Sequence, residues 1–241
     1  WTNNGEIIYS SKADGKNELW QIGKDGTNPR QLTTNANVRF GLTVSPLDGS
    51  IIFSSKQNGE KGVWRVDADG KNLRRLSDGE DQAPDISNDG KIVFHRGLGY
   101  SDGVFIASNG ETKMLKEKCY FPAISPDGTK TACYFMDSTD KKWRIALIAN
   151  ESGEMIRKLT LPIPIYERQI RWHPTGKFIT QIISAGENLK FLLLPTENGE
   201  PQIIEGLGKG ESNFPEWSPN GNQFLYSLIS TTQDVVMLTD F

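Results

Sequence analysis

The chain has 241 residues, with 24 Gly, 12 Pro and a formal net charge of −3. So mild an acidity offers no basic face to nucleic acid, and no stretch approaches the roughly 18 consecutive apolar residues of a membrane-spanning helix. Two cysteines are too few for a disulfide scaffold.

Taken in chain order, the same elements return six times. The first unit opens on the turn WTNNG (1–5), followed by strand-like EIIYSS (6–11), ELWQI (18–22) and RQLT (30–33). The second has VSPLDG (44–49), then SIIFSSK (50–56), GVWRV (62–66) and RRLS (74–77). The third has ISNDG (86–90), KIVFHR (91–96), GVFIA (103–107) and TKMLK (112–116). The fourth has ISPDG (124–128), TACYFM (131–136), WRIALI (143–148) and IRKLT (156–160). The fifth has WHPTG (172–176), KFITQII (177–183), KFLLL (190–194) and QIIE (202–205). The sixth has WSPNG (217–221), QFLYSLI (223–229) and DVVML (234–238), and no fourth strand.

The turn chemistry explains the motif. In Ser-Pro-Asp-Gly, Pro126 presets φ, Asp127 bonds nearby amides, and Gly128 accepts positive φ. The six turn glycines, Gly5, Gly49, Gly90, Gly128, Gly176 and Gly221, are 38 to 48 residues apart. A period in the forties with four short strands per unit predicts an all-β fold: a six-bladed β-propeller of four-stranded antiparallel blades. Runs such as IVF and FLY are apolar on consecutive residues, as strands covered on both faces require. The predicted blades are 1–34, 37–78, 80–116, 118–160, 165–206 and 211–241, together one domain. Because Trp1 falls in the middle of a repeat, the chain reads as a piece of a longer protein. In that protein residues from both ends would complete the sixth blade, which here is expected to show three strands and an edge beside Trp1.

The pattern P-x-[WI]-S-P-D-G-x-x-[IL]-x-[YF], followed by L-W-x-[IV] and R-x-L-[TS], resembles the TolB-type, WD-repeat-like propeller repeat. FPAISPDGTK and FPEWSPNGNQ match it best; Asn-Asn in unit one, Asn88 and Thr175 depart from it at turn-compatible positions. The unit count and the ending DVVMLTDF look similar to C-terminal propellers of bacterial serine/threonine protein kinases; similar propellers follow winged-helix regulators. The resemblance implies a non-catalytic sensor or interaction domain of a larger bacterial signalling protein, often held outside the cytoplasmic membrane, with a cytoplasmic location left open. A stand-alone periplasmic partner-binding protein is the alternative, and a propeller-fold hydrolase or lyase a third.

Candidate chemistry is sparse. The histidines, His95 and His173, are far apart in sequence and match no zinc spacing. No nucleophile elbow, phosphate loop or kinase signature is present. Asp14, Asp25, Asp48, Asp69, Asp89 and Asp127 sit at or next to glycine turns, where turn chemistry accounts for them better than calcium. Trp20, Trp64, Trp172 and Trp217 fall at positions expected to be buried between blades. Cys119 and Cys133 flank one hairpin and are expected to be free, although a bridge is open to them. No cofactor or metal is expected.

Aligning the units on the turn yields the binding candidates. First strands line a propeller's channel, so Arg39, Phe40, Asp81, Gln82, Cys119, Tyr120, Glu167, Arg168, Ser212 and Asn213 are expected around one mouth. Thr43, Asp85, Ala123, Arg171 and Glu216 are expected inside. Such a rim suits a protein, a peptide or a small polar ligand; a wet channel also accounts for polar residues there. The segment LPIPIYERQI (161–170) is expected as a lip carrying Tyr166 or as a stiff connector. No nucleic acid or membrane contact is expected, and the domain is expected to be a monomer.

Overall fold

The computed structural model describes residues 1–13, 15–57, 59–97, 103–162, 169–185 and 188–229. All regular structure among them is β, in antiparallel sheets of consecutive strands. The first sheet contains β1 (Ile7–Ala13), β2 (Lys16–Ile22) and β3 (Arg30–Gln31). Four sheets of four strands follow. They are β4 (Val38–Val44) to β7 (Arg74–Arg75), β8 (Asp81–Ile86) to β11 (Glu111–Glu117), β12 (Cys119–Ile124) to β15 (Met155–Leu159), and β16 (Arg171–Trp172) to β19 (Gln202–Ile204). A two-stranded hairpin, β20 (Glu211–Trp217) and β21 (Phe224–Ile229), comes last.

The structure therefore shows five blades where six were expected. The sixth unit contributes one hairpin among the described residues, too little to make a blade with two covered faces. Its expected third strand, 234–238, lies outside the described residues. The remaining strands match the sequence reading to within two residues at most ends.

The reason for the stack is in the side chains. Leu19 of β2 packs with Phe53 of β5 (Ile51–Gln57) and Val66 of β6 (Glu60–Val66). Ile52 and Val63 pack on Phe94 of β9 (Ile92–Arg96). Val93 and Val104 meet Cys133, Ala146 and Ile148 of the next blade. Tyr134, Ile145 and Leu147 meet Trp172, Ile179 and Leu192. Phe191 of β18 (Asn188–Pro195) meets Trp217, Phe224 and Tyr226. Each apolar layer thus joins two consecutive units, because each four-stranded sheet has apolar side chains on both faces and covers one with each neighbour.

The turns hold the geometry. Ser125 N donates to Lys130 O at 2.8 Å and Gly128 N to Ser125 O at 2.8 Å. Asp127 Oδ1 accepts from Ser125 Oγ (2.6 Å), Thr129 N (3.0 Å) and Thr129 Oγ1 (2.8 Å). These bonds occupy the carboxylate as turn chemistry does. All six turn glycines have positive φ. The Thr or Ser of R-x-L-[TS] also has a local role: Thr33 Oγ1 and Ser77 Oγ accept from the amides of Leu19 (3.0 Å) and Val63 (2.9 Å).

Candidate functional site

The innermost strands enclose a cavity of about 960 Å³. The turn residues Pro46, Asn88, Pro126, Pro174 and Pro219 border it at one end, where the repeat places them in register. Trp1, Trp172, Trp217 and Tyr226 add aromatic lining.

The backbone has a feature that the sequence alignment missed. The pairing of β4, β8, β12 and β20 slips between Val38 and Leu42, Gln82 and Asp85, Tyr120 and Ala123, and Asn213 and Glu216. In the first three strands the slipped residue, Gly41, Ala83 or Phe121, has φ of 69°, 52° or 50°. These are β-bulges, which re-aim the side chains beyond them. The signal was in Pro84, Pro122 and Pro215: proline cannot donate to the ladder, so it favours a bulge within a paired strand.

Three of the charged residues expected inside the channel lie nearer the turns. Asp85, Arg171 and Glu216 all line the cavity. Arg171 Nε donates to Glu216 Oε2 at 2.9 Å and Nη1 to Ile170 O at 3.0 Å. Asp85 is 8 % exposed, and its Oδ2 accepts from Ile124 N at 2.9 Å. Burial, with the nearby Glu216 charge, pushes the Asp85 carboxyl up to about 6, against the pull of Arg171. Burial works against the Arg171 charge, but Glu216 and Asp85 outweigh it and raise its pKa.

Before the bulge the expected ring of side chains is broken. Arg39 is exposed and does line the cavity. Phe40 is half-buried and tilts against Phe121, with ring centres 5.9 Å apart. Asp81 is buried instead of at an open rim, where Arg96 holds it through Nε (2.7 Å) and Nη2 (2.9 Å). Gln82 is half-buried, 3.3 Å from His95 Nδ1. Tyr120 is also buried, edge-on to His95 and Trp143. Asn213 lies on β20 opposite Ser227. Glu167 and Arg168, with Tyr166, lie outside the described residues. The bulge is the physical reason for the misplacement: one extra residue in β8, β12 and β20, and two in β4, interrupt the regular pairing on which a common inward face depends.

The remaining candidates are structural. Trp172 is buried and donates from Nε1 to Ala123 O at 2.9 Å, stitching two blades. Trp217 does the same to Thr180 Oγ1 at 2.9 Å. His173 packs edge-on to Trp217, with centres 4.5 Å apart. Cys119 and Cys133 are buried and unbridged; burial and a hydrogen bond to Cys119 push the Cys133 thiol up. Among the described residues no group of three or more His, Cys, Asp and Glu is placed to hold a metal ion, and no helix is long and apolar enough to cross a membrane.

Residues 1–101 match the family described as the dipeptidyl peptidase IV (DPP IV) N-terminal region. No curated protein matches the chain. Among solved structures, TolB from Acinetobacter baumannii is 18 % identical with a TM-score of 0.71, over 85 % of this chain and 52 % of that one. The chain thus spans about half the length of that relative. Putative TolB from Agrobacterium tumefaciens is 15 % identical with a TM-score of 0.77, over 96 % of this chain and 89 % of that one. An oligogalacturonate lyase in complex with manganese is 15 % identical with a TM-score of 0.59, over 91 % and 66 % of the two chains. Blade order, turn geometry and these likenesses agree: the chain has a β-propeller fold similar to that of the TolB structures.

Proposed function

We propose that this propeller is a non-catalytic sensor or interaction domain of a larger bacterial signalling protein, a serine/threonine kinase or a winged-helix regulator. In this reading it works outside the cytoplasmic membrane and takes a peptide or small polar ligand in its central channel. The observation that supports it is the cavity of about 960 Å³, with apolar and aromatic walls and a few charged groups converging within. That combination is what ligand sites are made of, whereas fold alone decides nothing about activity.

The test is a thermal-shift screen of the chain against peptides, amino acids and sugars. The expected result is a ligand that raises Tm in the wild type, does so less in Arg39→Glu, and is recovered chemically unchanged. A ligand that is consumed would overturn the non-catalytic reading in favour of a lyase or hydrolase. Stabilisation unaffected by Arg39→Glu or Trp217→Ala would place binding away from the channel and sink the proposal.

A further inference from the structure

The chemistry in the middle of the channel narrows the ligand further, on the reading that the channel is the binding site. Thr43, Asp85, Arg171 and Glu216 occupy equivalent positions just beyond the inner-strand slips, or their counterpart in β16, and all four line the cavity. Arg171 is committed through Nε to Glu216 and through Nη1 to the Ile170 carbonyl. Among the described residues no hydrogen bond joins it to Asp85, on which its charge acts through space. Asp85 is held from below by the Ile124 amide, and among the described residues no cationic side chain is hydrogen-bonded to it. One guanidinium against two carboxylates leaves a net negative charge mid-channel once Asp85 is ionised.

We propose that the middle of the channel recognises a primary ammonium group on the ligand, with Asp85 and Glu216 as its acceptors. A buried carboxylate gains most from a partner that is charged and can donate several hydrogen bonds. An anion there would meet two carboxylates; a neutral ligand would leave the Asp85 charge uncompensated. Trp172 and Trp217 line the same space, and indole faces favour cations. The other charged side chains on the lining are Lys24 and Arg39. Lys24 belongs to the turn after β2, and Arg39 lies within the β4 slip between Val38 and Leu42, and neither is among the charges that act on Asp85. The groups that face Asp85 are thus Arg171 from β16 and Glu216 from β20.

The probe is the tripeptide Ala-Lys-Ala, capped at both ends, with its Nε-acetylated form as the neutral control, titrated calorimetrically into the 241-residue chain. The lysine form should bind at least about tenfold more tightly at pH 7.5. Asp85→Asn, which keeps an oxygen for the Ile124 amide, should weaken it about tenfold. Wild-type affinity should fall about tenfold from pH 7.5 to 5, as the Asp85 carboxyl takes up its proton near pH 6, while D85N stays flat. Glu216→Gln should weaken binding but keep the pH dependence, a result that folding damage would not produce. Equal binding of the two peptides, no binding of either, or a D85N variant that matches wild type overturns the proposal. In that event the broader channel reading is judged separately, by whether Arg39→Glu abolishes the stabilisation found in the ligand screen.

Discussion

Gly128 shows what one residue contributes to this ring. Its φ is 68°, where an L side chain is strained, and a Cβ there would run into the Asp89 carboxylate of the preceding turn. Asp89 is not free to retreat: it accepts from Ser87 and pairs with Lys91. Gly221 is hemmed in by the His173 ring in the same way, at 2.8 Å. Gly128 and Gly221 therefore each serve both a tight turn and the close approach of a neighbouring turn. Gly128→Ala should destabilise the chain by about 1–3 kcal/mol, read as a lower urea midpoint with an unchanged m-value. Gly176 has a similar φ of 72° but open space around it, so Gly176→Ala should cost less. If the two variants cost the same, contact between adjacent turns contributes nothing.

At the scale of the strand, the legible and illegible parts of the sequence separate cleanly. Strand order and turn positions were readable because they rest on local rules: alternation, turn residues and a repeat spacing. Of the four tryptophans expected to be buried, Trp172 is, while Trp20, Trp64 and Trp217 are half-buried. Asp85 and Glu216 lie between the bulge and the turn, and Arg171 lies one residue before Trp172 of its own turn, where counting back from the glycine reaches the channel wall. Asp81 and Tyr120 were misplaced because that count crosses the bulge. The partner that fixes Asp81, Arg96, lies on the adjacent strand, and nothing in the spacing of the repeat announced it. The bulge itself can be tested at Gly41, where φ is 69° and an added Cβ would sit 3.2 Å from Ala83 Cα in the next blade. Gly41→Ala should cost about 1–3 kcal/mol. It should also perturb ligand stabilisation in the channel, since Gly41 lies on the cavity wall. A variant as stable as wild type would mean that the inner strands can slip without strain.

Across the whole molecule, two sets of carboxylates pull stability in opposite directions with pH. Asp48 is held down to about 2 by the Ser50 hydroxyl and amide, Ser45 and Arg65, which together outweigh burial. Asp127 and Asp89 are lowered by similar turn bonds that outweigh burial. A lowered carboxyl contributes stability above its unfolded value near 3.8 and loses it as pH falls toward the folded value. Asp85 has the reverse sign. Its folded value of about 6 exceeds the unfolded 3.8, so its contribution is complete below 3.8 and is lost as pH rises through 6. For this buried group the loss is on the order of 2–3 kcal/mol. The two trends meet between pH 4 and 5. Tm should therefore rise from pH 2 to about 4 and fall again toward pH 6.5, an unusual place for the maximum in a chain of mild net charge. Asp85→Asn should remove the fall and leave the acid limb intact, making the variant more stable than wild type at pH 7.5. The same substitution is expected to cost ligand affinity, because a carboxylate kept buried beside Glu216 without a bonded cation is destabilising until a ligand supplies one. A wild-type Tm that keeps rising from pH 4 to 6.5 would show that Asp85 is ionised at no cost, and the channel would then hold no charge waiting for a partner.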